Sequence, residues 1–238
     1  MKQGRHLLMA ILWIQAFAVS GQNVEFLEGP FNIGRKVGFK APFHFIEDRF
    51  DSTKLDYVGR VHVSADGVAS LRSMYLALEK RARKNGANAF RLITFDKTNT
   101  ALVADLYYIS DDVVAENNRL KEHNTIYVFG GDLYGPVTRD AFEFNGKVRN
   151  VRNGTYFKHT LAEGEKAKLM KGTITGTVMW ISWKPNALSS YYSVRDFGEK
   201  TVVKRRTVSQ SSRPGKFIEV DRALGELLAT VLDEIPRE

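Results

Sequence analysis

The chain reads as an α+β protein, a small βαββ unit followed by an antiparallel β-sandwich-like region with a C-terminal amphipathic helix. Three observations predict this. Val68, Leu71, Tyr75, Leu78 and Ala82 recur at steps of three and four, which places them on one stripe of a helix. A β-rich segment precedes that helix (57–64) and two follow it (90–95 and 101–109). Beyond residue 125 the pattern changes to short β-rich runs punctuated by turns, until a last apolar stripe of Leu224, Leu227, Leu228, Val231, Leu232 and Ile235.

The first helix spans the segment 68–86. Asp66 is placed to cap it, and Asn85-Gly86 ends it. Its outer face carries Arg72, Glu79, Lys80, Arg83 and Lys84, which this spacing leaves in water. A strand, a helix and a following strand of these lengths form a right-handed parallel unit. The expectation is therefore that 90–95 lies beside 57–64. Residues 96–100 turn the chain back into 101–109.

Residues 22–56 read as an irregular or strand-like lead-in, broken by Gly29-Pro30, Gly34, Gly38 and Pro42. Residues 111–124 are charged and read as a linker, either a short helix or an exposed connector. Residues 125–238 form the β-sandwich-like region, with expected strands at 126–129, 140–144, 147–151, 155–161, 166–170, 173–184, 189–194 and 201–209. Asn145-Gly146 is a strong hairpin signal, and Asp221 is placed to cap the final helix.

Residues 1–21 have the order of a secretory signal peptide. Lys2 and Arg5 form a basic start, residues 7–19 an apolar run, and Ala18, Ser20 and Gly21 a small-residue end. Cleavage after Ser20 or after Gly21, leaving Gln22 first, fits equally well. The apolar run is shorter than the roughly 20 residues of a membrane span, and no later run is long enough, so no transmembrane segment is expected in the mature chain. The chain has no cysteine. It holds no disulfide or thiolate metal site, and no lipid-modified cysteine. These features lead to the expectation of an exported protein, periplasmic or secreted and soluble once the signal peptide is removed.

The formal net charge is +8, and loss of Lys2 and Arg5 would leave +6. The cations are spread along the whole chain, so no nucleic-acid interaction is expected. Envelope polysaccharide, an anionic lipid surface and another envelope protein remain as partners. His44, His62, His123 and His159 show no metal-ligand spacing. No nucleophile elbow or phosphate loop is present, and Glu163, Glu165, Asp196 and Glu199 fall in expected turns, so no catalytic residue and no cofactor is assigned. The ligand-binding candidates are aromatic and basic. Trp180 and Trp183 point to opposite faces, as do Tyr191 and Tyr192, so one of each pair is available to stack on a sugar ring. Lys204, Arg205 and Arg206 lie in an expected hairpin, where they either meet an anionic polymer or protect an edge strand.

The run Ala82-Arg83-Lys84-Asn85-Gly86-Ala87-Asn88-Ala89, followed by a strand, resembles small strand–helix–strand–strand domains of bacterial envelope proteins. The Rcs outer-membrane stress-sensor lipoprotein and the heavy-metal-binding-like family share a similar Gly-Ala-Asn-Ala signature. The match covers residues 57–109, and the sensor's disulfides and lipid anchor have no counterpart here. Residues 125–170, with Phe144-Asn145-Gly146-Lys147 and Asn153-Gly154-Thr155-Tyr156-Phe157, are similar to an envelope β-sandwich domain of unknown function. Together these resemblances imply a non-enzymatic exported protein with a binding or assembly role at the bacterial cell envelope. The alternative is a hydrolase acting on envelope or extracellular polysaccharide.

Overall fold

In the computed structural model, residues 22–30, 34–38, 40–65, 70–133, 139–172, 176–195, 197 and 215–236 are described. They hold three α-helices and three sheets, an α+β architecture. None of the described helices is long and apolar enough to cross a membrane.

The first sheet contains β1 (Gln22–Glu28), β2 (His44–Phe45), β3 (Asp56–Ala65), β4 (Ala89–Asp96) and β5 (Ala101–Tyr108), in the order β1-β3-β5-β4-β2. Two expectations change here. β1 is a regular strand, antiparallel to β3, whose Val24 and Phe26 pack on the core in alternation with exposed neighbours. The lead-in is therefore structured from its first described residue. Strands β3 and β4 are parallel but are not neighbours, because β5 pairs antiparallel with both. The crossover skips one strand position, and the hairpin through 96–100 drops β5 into the gap. Arg60 and Asp105, opposite one another in this register, close a two-pronged ion pair at 2.6 and 2.9 Å.

Helix α1 (Leu71–Lys84) buries Leu71, Met74, Tyr75, Leu78 and Ala82 completely or nearly so. Its cap is Ser70, whose hydroxyl accepts from the Ser73 N–H at 2.9 Å; the expected cap Asp66, and Val68, lie outside the described residues. Asn85 closes the helix, and Gly86 follows in the left-handed region at φ 86°. Arg83 corrects the expected outer face. It is 9% exposed, and its guanidinium donates to the Gly38 and Ala41 carbonyls and to Glu79. Gly38 and Ala41 lie on that side of the helix, and their contacts with Arg83 remove it from water.

Helix α2 (Asp111–Leu120) covers the opposite face of the first sheet, where Val113, Val114 and Leu120 pack against Ile46, Tyr107 and Ile109. Buried Asn117 ties it to the strand β2 region: its amide donates to Phe45 O, and its oxygen accepts from the Glu47 N–H.

The second sheet, in the order β13-β12-β6-β9-β14, contains β6 (Thr125–Phe129), β9 (Thr155–Thr160), β12 (Ser190–Ser193), β13 (Ile218–Glu219) and β14 (Asp233–Glu234). The third, in the order β11-β10-β7-β8, contains β7 (Arg139–Phe144), β8 (Lys147–Arg152), β10 (Lys166–Lys171) and β11 (Thr177–Ser182). The third sheet is antiparallel, but the second is mixed, since β12 runs parallel to β6 and β14 parallel to β9. The chain leaves and re-enters this sheet through distant segments, and short hairpins cannot make such connections.

Every residue of β6 is buried. Tyr127 and Phe129 face one way, into a core shared with α1, the first sheet and helix α3 (Arg222–Val231). Ile126 and Val128 face the other way, against Phe142, Phe144 and Leu169 of the third sheet. A strand covered on both faces must be apolar throughout, and Thr-Ile-Tyr-Val-Phe meets that demand. Asp221 caps α3 as expected, accepting from the Ala223 and Leu224 N–H groups. At Gly225 a side chain would meet the Tyr191 ring at 2.3 Å, so glycine is what lets the helix lie flat on that ring.

Candidate functional site

Strand β8 forms one edge of the third sheet. Its register against β7 sets Val151 opposite Asp140, Arg149 opposite Phe142 and Lys147 opposite Phe144. Phe142, Phe144 and Val151 belong to the core between the second and third sheets, so Arg149 and Lys147 point to the same inner side. The face turned toward the core thus changes from apolar to basic along one edge strand, and the two sheets part there. The opening is a cleft of about 420 Å³. Phe144 and Phe157 contribute its aromatic lining, Lys147, Arg149 and His159 its polar lining, and Ile235-Pro236, just beyond β14, the opposite lip.

Two of these polar groups are held by the aromatic rings. The Arg149 guanidinium carbon lies 5.8 Å from the Phe157 ring centroid, and the His159 and Phe144 rings are 4.7 Å apart. His159 Nε2 is 2.8 Å from Glu165 Oε1, which fixes the ring's orientation. The other carboxylate oxygen of Glu165 accepts the Ala162 N–H at 2.8 Å. That backbone bond and, after it, His159 hold the Glu165 carboxyl below the usual carboxylate range. Lys158 alternates to the opposite face of β9, where it pairs with Glu122 at 2.6 Å, so only its backbone borders the cleft. A second hollow of about 270 Å³ continues along β8, between Arg139 and Arg152 on one side and Asp233 and Glu234 on the other.

Among the described residues the main cleft is lined by no carboxylate and no serine, and no group of three or more metal-ligating side chains forms. The chemistry available is attraction of an anion above an apolar aromatic surface.

The aromatic candidates do not converge. Trp180 is 57% exposed on β11, with Lys166 Nζ 4.8 Å from its ring centroid. Trp183 packs against the core between the second and third sheets. Tyr191 is buried and stacks on Tyr127 with ring centroids 5.0 Å apart. Tyr192 packs on the opposite side, its ring 6.5 Å from that of Phe217. Of the four, only Trp180 is available for stacking, and both tyrosines are structural. Lys204, Arg205 and Arg206 lie outside the described residues, as do Ser20 and Gly21 of the expected cleavage region. Gln22 begins β1, and its amide donates to Ser73 Oγ at 3.1 Å.

Sequence reasoning passed over Lys147 and Arg149. The available signal was their spacing: both share the parity of Val151, so an inward Val151 makes them inward too.

Comparison with known proteins finds no matching family model, no curated relative and no solved structure that resembles the chain.

Proposed function

We propose that this is a non-enzymatic exported protein with a binding role at the bacterial cell envelope, and that the cleft between β8 and β9 takes a segment of acidic polysaccharide. The observation that supports this most is the pairing of Lys147 and Arg149 with the Phe144 and Phe157 rings in one opening. Cations suit the carboxylate or phosphate of such a polymer, and aromatic faces suit the C–H surface of its sugar rings. The leader-like order of residues 1–21 supports the address.

A hydrolase acting on envelope or extracellular polysaccharide is the second reading, favoured by the His159–Glu165 pair. Against it, Glu165 is engaged by Ala162 and stands behind His159, and among the described residues no acid lines the cleft itself. Affinity electrophoresis through polygalacturonate gels tests the binding reading. Retardation of the wild type that is lost in Lys147→Ser/Arg149→Ser, with unchanged thermal melts, is the expected result. Equal mobility of the two proteins in polymer and in blank gels would overturn it. Chain shortening of the polymer that His159→Ala abolishes would favour the hydrolase.

A further inference from the structure

The third sheet has a second face, turned away from the core. The pairing of β10 with β11 sets Lys168 beside Trp180 and Met170 beside Val178, and Glu143 of β7 lies beside both Met170 and Val148. The burial alternation places all of these outward, opposite the buried Ala167, Leu169, Phe142 and Phe144. Val148 is 64% exposed, Val178 46% and Trp180 57%, so no described element covers this face. Val178 and Trp180 on one edge strand, Val148 on the other and half-buried Met170 between them give this sheet face more exposed apolar surface than scattered single side chains do.

We infer that the outward face of the β11-β10-β7-β8 sheet docks on an anionic lipid bilayer, with Trp180, Val178, Met170 and Val148 entering the interface and Lys166 and Lys168 meeting headgroup phosphates. The charge supports this occupant. Lys166 and Lys168 lie on outward positions of β10, and Glu143 is the one acid at an outward position among the described residues of the four strands. Tryptophan favours the boundary between headgroups and acyl chains, and lysines lay their stems along apolar surface while keeping the ammonium in water. The shape of the surface favours a membrane over a sugar: beyond Lys168 and Trp180 the face continues with the apolar Met170 and Val178, and it is an open sheet face rather than a cavity that could enclose a sugar ring. The inference does not depend on the cleft, which uses the inward residues of β8.

The test is co-sedimentation of the purified protein with phosphatidylglycerol–phosphatidylcholine vesicles and with phosphatidylcholine vesicles alone. Lys166→Ser/Lys168→Ser should weaken partitioning to anionic vesicles about thirtyfold, from two interfacial lysines. Raising salt from about 0.1 M to about 1 M should weaken it as well, because the Debye length falls from about 10 Å to about 3 Å. Vesicles should shift the wild-type tryptophan emission to the blue, and Trp180→Phe should lose that shift. Unchanged melts will show both variants folded, and Lys147→Ser/Arg149→Ser should bind vesicles as the wild type does. Equal vesicle partitioning of the wild type and the lysine variant would overturn the proposal. So would retention on polygalacturonate, without vesicle binding, that the same lysine change abolishes.

Discussion

Lys121 Nζ lies 2.8 Å from Glu226 Oε2, and both side chains are almost wholly enclosed, at 5% and 7% exposure. The lysine follows α2 and the glutamate lies on α3, so the contact fastens the first-sheet assembly to the helix that underlies the second sheet. Burial raises the Glu226 carboxyl well above the usual carboxylate range, and the nearby Lys121 opposes that rise. Taking away one partner leaves a charge stranded in the interior. Lys121→Met alone should cost about 3–5 kcal/mol in urea unfolding, whereas Lys121→Met/Glu226→Leu should be close to wild type or more stable. A double variant as unstable as the single would show that the pair stabilises the joint by more than mutual neutralisation.

The two faces of α1 allow a direct comparison. Leu78 is fully buried beneath the first sheet, and Leu78→Ala should cost about 2–5 kcal/mol. Arg83 satisfies the carbonyls of Gly38 and Ala41. Arg83→Ala should cost about 1.5–3 kcal/mol, the range for hydrogen bonds to a charged group. It should also speed proteolysis near residue 40, while Arg72→Ala, at an exposed position of the same helix, should leave the melt unchanged. Chevron or equilibrium melts on the three variants check the ranking.

Acid stability should turn on His44. Burial first, and then the positive charges of Lys121 and Arg222, lower its pKa from 6.5 to about 4. A histidine depressed in the folded state contributes stability that is present above pH 6.5 and is lost as the pH falls toward 4. His44→Gln should therefore lose less stability than the wild type between pH 7 and pH 4.5. Asp132 acts in the opposite sense. Its carboxylate accepts the Leu71 N–H at 2.8 Å at the start of α1, but burial raises its pKa from 3.8 to about 6. Its contribution is present below pH 3.8 and is lost as the pH rises through 6. Asp132→Asn should steepen the net loss of stability on acidification over the same interval. Thermal melts at half-unit pH steps read both slopes, and parallel slopes in all three proteins would exclude these two groups as the origin.

Export is checked by the N-terminus of the native protein. Mass spectrometry should find Gly21 or Gln22 first, given the order of residues 1–21. A mature chain that keeps Met1–Val19 would overturn the signal-peptide reading.

What the sequence disclosed depended on how local the cause was. The Leu71, Tyr75, Leu78 stripe, the Asn145-Gly146 turn and the Asp221 cap each rest on residues within one or two turns of chain, and all three were legible. β1 was hidden because Gly29-Pro30 drew the eye, although Val24 and Phe26 already alternate with Asn23 and Glu25. Arg83 was misplaced because helical spacing cannot foresee that the Gly38 and Ala41 carbonyls lie over it. The position of β5 between β3 and β4 follows from a hairpin returning into a gap, a choice made at the level of the whole sheet. The cleft has the same kind of origin. Lys147 and Arg149 become site residues only because β8 is an edge strand whose inner side meets Phe144 and Phe157.

The core shared by the first and second sheets has a consequence for the order in which the protein can be built. Leu224, Leu227, Leu228 and Val231 of α3 share it with Phe43, Phe90 and Leu78 from the first half of the chain. A growing polypeptide that has not yet reached residue 231 lacks one wall of the chamber that encloses α1. Its early strands therefore have no finished surface to settle on, and contacts between such distant segments form slowly. The last helix is therefore the keystone of the first half: α1 and its sheet cannot reach their final enclosure before residue 231 has been made.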